Sequence, residues 1–166
     1  MHDGGSFEGR FRAPDALIAR LEAVFAEIQA TRMADVPVLN GALQVEAVSF
    51  MASGESWLGV LITPWFMNLM LLPRTADAWP GLVTGQSVAH AFPSGVYDFV
   101  VGHEAALGRY QSCSLFSPMF EFPDQASARA TAQAALAHLF ASGADREKVP
   151  SPSRRRFLLG GAASGA

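Results

Sequence analysis

Two hydrophobic spacings alternate along the chain, and the switch from one to the other marks its elements. Behind Pro14 and Asp15, apolar residues recur three and four apart at Leu17, Leu21, Val24, Phe25 and Ile28. That spacing lines one face of a helix. Arg20, Glu22, Glu27 and Gln29 take the other side, so the pattern predicts an amphipathic helix to about Thr31. The stretch 35–42 (DVPVLNGA) is rich in turn formers and ends it.

Strand-like runs follow, punctuated by Gly, Pro and Ser. Residues 43–50 read as a first strand and 57–63 as a second, after the turn Ser53-Gly54-Glu55. A third, 66–72, lies between Pro64 and Pro73, and a fourth covers 86–92. Pro93-Ser94-Gly95 turns directly into 96–101, and 109–116 makes a sixth. Links this short favour antiparallel pairing, because parallel strands need long crossovers. Asp124 then caps a last helix over 125–141, with Ala128, Ala132, Ala135, Leu136, Leu139 and Phe140 on its buried face. The order predicts one α+β domain: a six-stranded, mainly antiparallel sheet packed by an N-terminal and a C-terminal helix. The domain spans 15–142, between a loose start (1–14) and a flexible basic tail (143–166).

Composition supports a single core without a disulfide or metal staple, since half of the 166 residues are apolar and 16% are charged. Cys113 is the one cysteine, which excludes an intrachain disulfide and suits a reducing compartment. The opening fourteen residues are polar and Gly-rich, with no apolar run behind their charges as a secretory signal would have. The longest apolar stretches, 57–62 and 69–72, are too short to cross a bilayer. The expectation is a soluble, cytoplasmic protein with no membrane insertion.

Charge changes the picture further. The formal net charge is -3, but residues 1–145 hold 14 acidic and 7 basic residues, whereas 146–166 hold five basic and one acidic. An acidic body repels phosphate backbones, which argues against nucleic acid, and suits a basic peptide.

Candidate chemistry is sparse. Cys113 with His90 or His103 could form a thiol–imidazole pair, yet Cys113 sits mid-strand, away from any helix N-terminus that would lower its pKa. His2, His90, His103 and His138 show no metal-ligand spacing, and no glycines form a phosphate loop. Neither catalysis nor a cofactor is expected. Two strings, TPWFMN (63–68) and LFSPMFEF (115–122), instead set large apolar residues beside Pro64 and Pro118. Prolines force turns, turns run over the surface, and part of this set is expected to be exposed as a protein-binding surface. In the tail, Ser153-Arg154-Arg155-Arg156-Phe157-Leu158 is similar to the core of a twin-arginine export signal, but lacks the apolar segment that should follow the arginines. The expectation is mimicry, with the segment docking on an acidic groove of this body or of another copy.

Several of these strings carry a family resemblance. Pro37-Val38-Leu39-Asn40, GVLITPWFMN (59–68), Phe92-Pro93-Ser94-Gly95 with Tyr97, and CSLFSPMFEF (113–122) resemble the nickel–iron hydrogenase assembly chaperones of the HybE/HupJ type, over residues 17–140. The resemblance implies a dedicated cytoplasmic chaperone for a hydrogenase small and/or large subunit precursor. It further implies that the small subunit, which carries a twin-arginine signal peptide, is held back from export until the cofactor-loaded large subunit joins it. Some members carry a rubredoxin-like iron domain, a site one cysteine cannot build, and other members carry the SRRRFL string. The partner-binding region is expected at Trp65, Phe66, Met67 and Asn68, at Phe92, Pro93, Ser94 and Tyr97, and at Phe116, Pro118, Met119, Phe120 and Glu121. Two other readings stay open: a thiol-dependent enzyme or redox protein using Cys113, and a scaffold whose apolar turns form a weak homodimer.

Overall fold

A computed structural model describes residues 11–141; the tail string beginning at Ser153 lies outside them. Helix α1 (Asp15–Ala30) is followed by strands β1 (Glu46–Ser53), β2 (Ser56–Ile62), β3 (Met67–Pro73), β4 (Ser87–Phe92), β5 (Gly95–Glu104) and β6 (Gly108–Phe116), then helix α2 (Gln125–Leu139). All six strands form one antiparallel sheet in the order β1-β2-β3-β6-β5-β4. It is built from two meanders, β1–β2–β3 and β4–β5–β6, joined along β3 and β6, where Leu69 faces Cys113 and Leu71 faces Gln111.

The helices lie on opposite faces. α1 buries Leu21 and Phe25 on Phe50, Leu61, Met70 and Leu72. α2 buries Ala128, Ala132, Ala135 and Leu139 on a larger core that holds Val60, Ile62, Met67, Leu69, Tyr97 and Phe99. Its alanines let the helix axis approach the sheet, and Asp124 accepts from the N–H and Oγ of Ser127 to cap it. Because β2 and β3 are covered on both faces, their side chains are apolar almost without alternation, as sandwiched strands require.

Strand β1 departs from the sequence-based expectation at both ends. It starts at Glu46 rather than 43, because Asn40 folds residues 40–43 into a turn: Ala42 N–H donates to Asn40 Oδ1 (2.9 Å) and Leu43 N–H to Asn40 O (3.1 Å). It continues to Ser53 through a bulge between Val48 and Met51, where Ser49 takes φ +55°. The extra residue reverses the alternation, so that Val48 enters the α2 core and Phe50 the α1 core. The Phe50 ring then lies over Gly59, where any Cβ would meet it at 2.4 Å. Gly102 accepts the Tyr110 ring in the same way, which lets β5 run on to Glu104. α2 stops at Leu139, and Ala141 N–H closes a turn on His138 O.

Candidate partner-binding surface

Register alone brings the distinctive strings together. The end of β2, the start of β3, the end of β6 and the start of β5 are in register, with Ile62 opposite Met67, and Met67 opposite Phe116. The β2–β3 turn, the β4–β5 turn and the segment after β6 therefore share one end of the sheet. The start of β1 is there too, since Glu46 faces Ile62.

Asn40 ties this end into one body. Its Nδ2 donates to Met119 O (2.8 Å) and Phe122 O (2.9 Å), and its backbone N–H donates to Pro64 O (2.9 Å). Three loops remote in sequence thus meet at one residue, two through its side chain and the β2–β3 turn through its backbone. Within the β2–β3 turn, Thr63 Oγ1 accepts from the N–H groups of Trp65 (3.1 Å) and Phe66 (2.9 Å). At the β4–β5 turn, Ser94 Oγ and the Tyr97 hydroxyl share a buried hydrogen bond of 2.7 Å. Ser94 N–H reaches Leu139 O at the end of α2 (3.2 Å).

The aromatic residues at this end divide between core and surface. Met67, Phe116, Met119 and Phe122 are buried in the α2 core, as are Tyr97 and Ser94. Pro118 is exposed but Pro64 is buried, so proline marks the turn without placing it, or the next side chain, at the surface; Met119 turns inward while Phe120 turns out. Trp65 and Phe66 are half-buried and meet edge-on at 5.4 Å, with Phe66 resting on Phe25 of α1. Asn68 is half-buried, and its Oδ1 is shielded from solvent without a hydrogen-bond partner among the described residues. Phe92 is half-buried among Tyr97, Phe99 and Phe140. Pro93, Pro118 and Glu121 are exposed. The apolar groups offered to solvent are Phe120 (58% exposed), Phe140 (43%) and Val96 (68%). Neither Asn40 nor Phe140 and Val96 stood out from sequence as site residues. Asn40 was visible as a turn former and as the end of the resemblance string Pro37-Val38-Leu39-Asn40, and Phe140 only as part of a core-facing helix stripe.

Cys113 is a poor nucleophile here. Burial, with a smaller contribution from the Asp98 charge, pushes its thiol up to about 11, so it is protonated at neutral pH. His90 is occupied elsewhere, with Nε2 at 2.7 Å from Gln111 Oε1 and its ring edge-on to Phe99, and His103 is exposed. Among the described residues no three or more His, Cys, Asp or Glu side chains gather as a metal site, and no helix is long and apolar enough to cross a membrane.

A family model for "[NiFe]-hydrogenase assembly, chaperone, HybE" matches residues 16–160. The chain belongs to the HybE family of hydrogenase assembly chaperones. The matched span includes the arginine string of the tail. Protein HoxT of Cupriavidus necator is 44% identical, over 86% of this chain and 88% of its own. "Probable rubredoxin HupJ" of Rhodobacter capsulatus is 42% identical over 76% of this chain, which spans only 45% of that relative's length. The solution structure of HybE from Escherichia coli superposes with a TM-score of 0.60 at 26% identity, covering 75% of this chain and 76% of that one. The HybE fold agrees with the α+β architecture expected from the strand and helix order.

Proposed function

We propose that this HybE-family chaperone binds a nickel–iron hydrogenase subunit precursor at the turn end of its sheet, and that it coordinates assembly with twin-arginine export in the cytoplasm. The observation that carries the reading is the convergence of three loops on Asn40, at the end of the sheet where Phe120, Phe140 and Val96 are exposed and Trp65 and Phe66 are half-buried. An aromatic cluster on a rigid base is what a protein-binding surface needs, because it adds contact area without ordering a loop on binding. The acidic balance of residues 1–145 suits a client whose signal segment carries arginines. A free thiol held protonated offers no competing covalent chemistry.

The test is affinity capture of the tagged full chain from cells maturing the hydrogenase, with mass spectrometry of what accompanies it. Hydrogenase subunit precursors should be recovered with the native chain and lost with Phe120→Asp, whose exposed side chain leaves the melting temperature unchanged. Equal recovery with Phe120→Asp overturns the placement of the surface. Recovery of no subunit with the native chain overturns the function.

A further inference from the structure

The two rims of the sheet are finished differently. The β1 rim is bulged at Ser49 and covered by the preceding segment: Ala13 N–H donates to Phe50 O (3.0 Å), and Ala52 N–H to Phe11 O (2.8 Å). The β4 rim has no such protection. Its sequence SVAHAF contains no proline, lysine or carboxylate, and its register with β5 runs unbroken from Ser87 opposite Val100 to Phe92 opposite Gly95. Among the described residues no strand pairs with its outer side. Proteins ordinarily blunt such an edge with charge, proline or a bulge, since its free N–H and C=O groups template another strand.

The face beside this rim is open as well. α1 packs on the first meander, and the same face of β4 and β5 presents Ala89 and Ala91 beside Val96, Asp98 and Val100. Val96 and Val100 are 68% and 47% exposed, and Asp98 between them is exposed without an ion pair among the described residues. A strand laid along β4 would lie about 10 Å from β5, two strand spacings away. Only the small Ala89 separates that position from Asp98, so an arginine side chain spans the gap.

Three observations name the occupant. α2 ends against the β4–β5 turn, through Ser94 N–H to Leu139 O (3.2 Å) and Phe140 to Phe92 (ring centres 5.9 Å apart), so Ala141, the last described residue, lies near the end of β4. The charges are complementary, five basic residues to one acidic over 146–166 against 14 acidic to 7 basic before them. In an extended chain Arg155, Phe157 and Leu159 fall on one side, a cation followed by apolar groups, which complements Asp98 flanked by Val96 and Val100. We propose that residues 153–159 of this chain add to β4 as a seventh strand, with Arg155 over Ala89 against Asp98 and Phe157 beside a valine. The eleven intervening residues, 142–152, can span about 36 Å, more than the roughly 20 Å of a six-residue strand. The contact closes the unguarded rim within the molecule, and it does not depend on what the chaperone's client is.

Amide hydrogen exchange of the full chain at low salt tests this without any client. Replacing Arg154, Arg155 and Arg156 together by Gln should speed exchange in residues 87–91 by about tenfold or more and leave α1 unchanged. Asp98→Asn, at an exposed position, should do the same at β4. A nitroxide attached at Leu158→Cys in a Cys113→Ser background should broaden β4 and β5 resonances selectively. Equal β4 exchange in the native and substituted chains overturns the proposal, as does broadening confined to other elements. Protection of β4 that rises with protein concentration would instead mean that a second copy occupies the rim, and overturns it too.

Discussion

Replacing Asn40 by alanine removes the side chain that ties its own turn to the segment after β6, while its backbone bond to Pro64 O remains. Two amide donations to Met119 O and Phe122 O disappear, at 2.8 and 2.9 Å, together with the acceptor for Ala42 N–H. Each such bond contributes about 0.5–1.5 kcal/mol net, and leaving a part-buried carbonyl unpaired moves the cost to the upper end. The loss should total about 2–4 kcal/mol. In a domain of this size each kcal/mol lowers the midpoint by roughly 3–5 °C. Calorimetry of Asn40→Ala should therefore show a fall of about 6–20 °C. Asn40→Asp is the sharper comparison: it keeps the acceptor for Ala42 but turns a carboxylate oxygen on two carbonyls, and should be less stable than Asn40→Ala at pH 7. A loss below about 0.5 kcal/mol for alanine, within the range of an ordinary surface change, would refute the role given to Asn40. So would an aspartate variant as stable as the native chain.

Further outcomes follow from the same structure. Gly59→Ala drives a methyl into the Phe50 ring at 2.4 Å and should destabilise by about 1–3 kcal/mol in urea titrations, as overpacking does; the penalty should shrink in a Phe50→Leu background. Burial alone would raise the Glu46 carboxyl, but hydrogen bonds from Arg129 and Gln125 and the Arg129 charge hold it below its usual 4.5. A lowered carboxyl stabilises the fold above its unfolded value and loses that contribution as pH falls through the folded one. Glu46→Gln should thus lower the urea midpoint at pH 7, by about 0.5–1 kcal/mol for this part-exposed pair, and leave it unchanged near pH 2.5. Alkylation of Cys113 by iodoacetamide at pH 8 should be roughly 100-fold slower in the folded chain than in urea, from the thiolate fraction; equal rates would contradict its burial.

The sequence carried the elements more clearly than their arrangement. Alternation and short links were enough to place six strands and to favour antiparallel pairing of those joined by tight turns. The unbroken apolar runs of β2 and β3 belong to strands buried on both faces, and the alternation of Ser87, Ala89 and Ala91 with Val88, His90 and Phe92 to one with an open face, but the structure was needed to assign those faces. The pairing of β3 with β6 was not legible, because no local pattern encodes which strands of different hairpins become neighbours. The bulge at Ser49 was hidden for a related reason: a serine at positive φ leaves no compositional mark, yet it redirects Phe50 to the other core. At the proposed surface, the prolines located the turns correctly, whereas the inward turn of Met119 and the outward turn of Phe120 depend on packing that only the fold supplies.

The division of the sheet into two meanders has a consequence for how the molecule opens. The first meander has α1 on one face and most of α2 on the other, while the second meander meets α1 at Tyr110 and α2 chiefly near its end, at the β4–β5 turn. Regions with less apolar cover open at lower free energy, so β4 and β5 should form the labile half and β2 with β3 the last part to exchange. The seam between β3 and β6 closes a long loop and rewards pairing late. α2, rooted over β1 and β2 and latched to Ser94 by its final turn, acts as the clasp that holds the halves together. A client that pressed on Phe140 would load that latch directly, and the chaperone would transmit the event to its most easily opened strands before the rest of the fold responded.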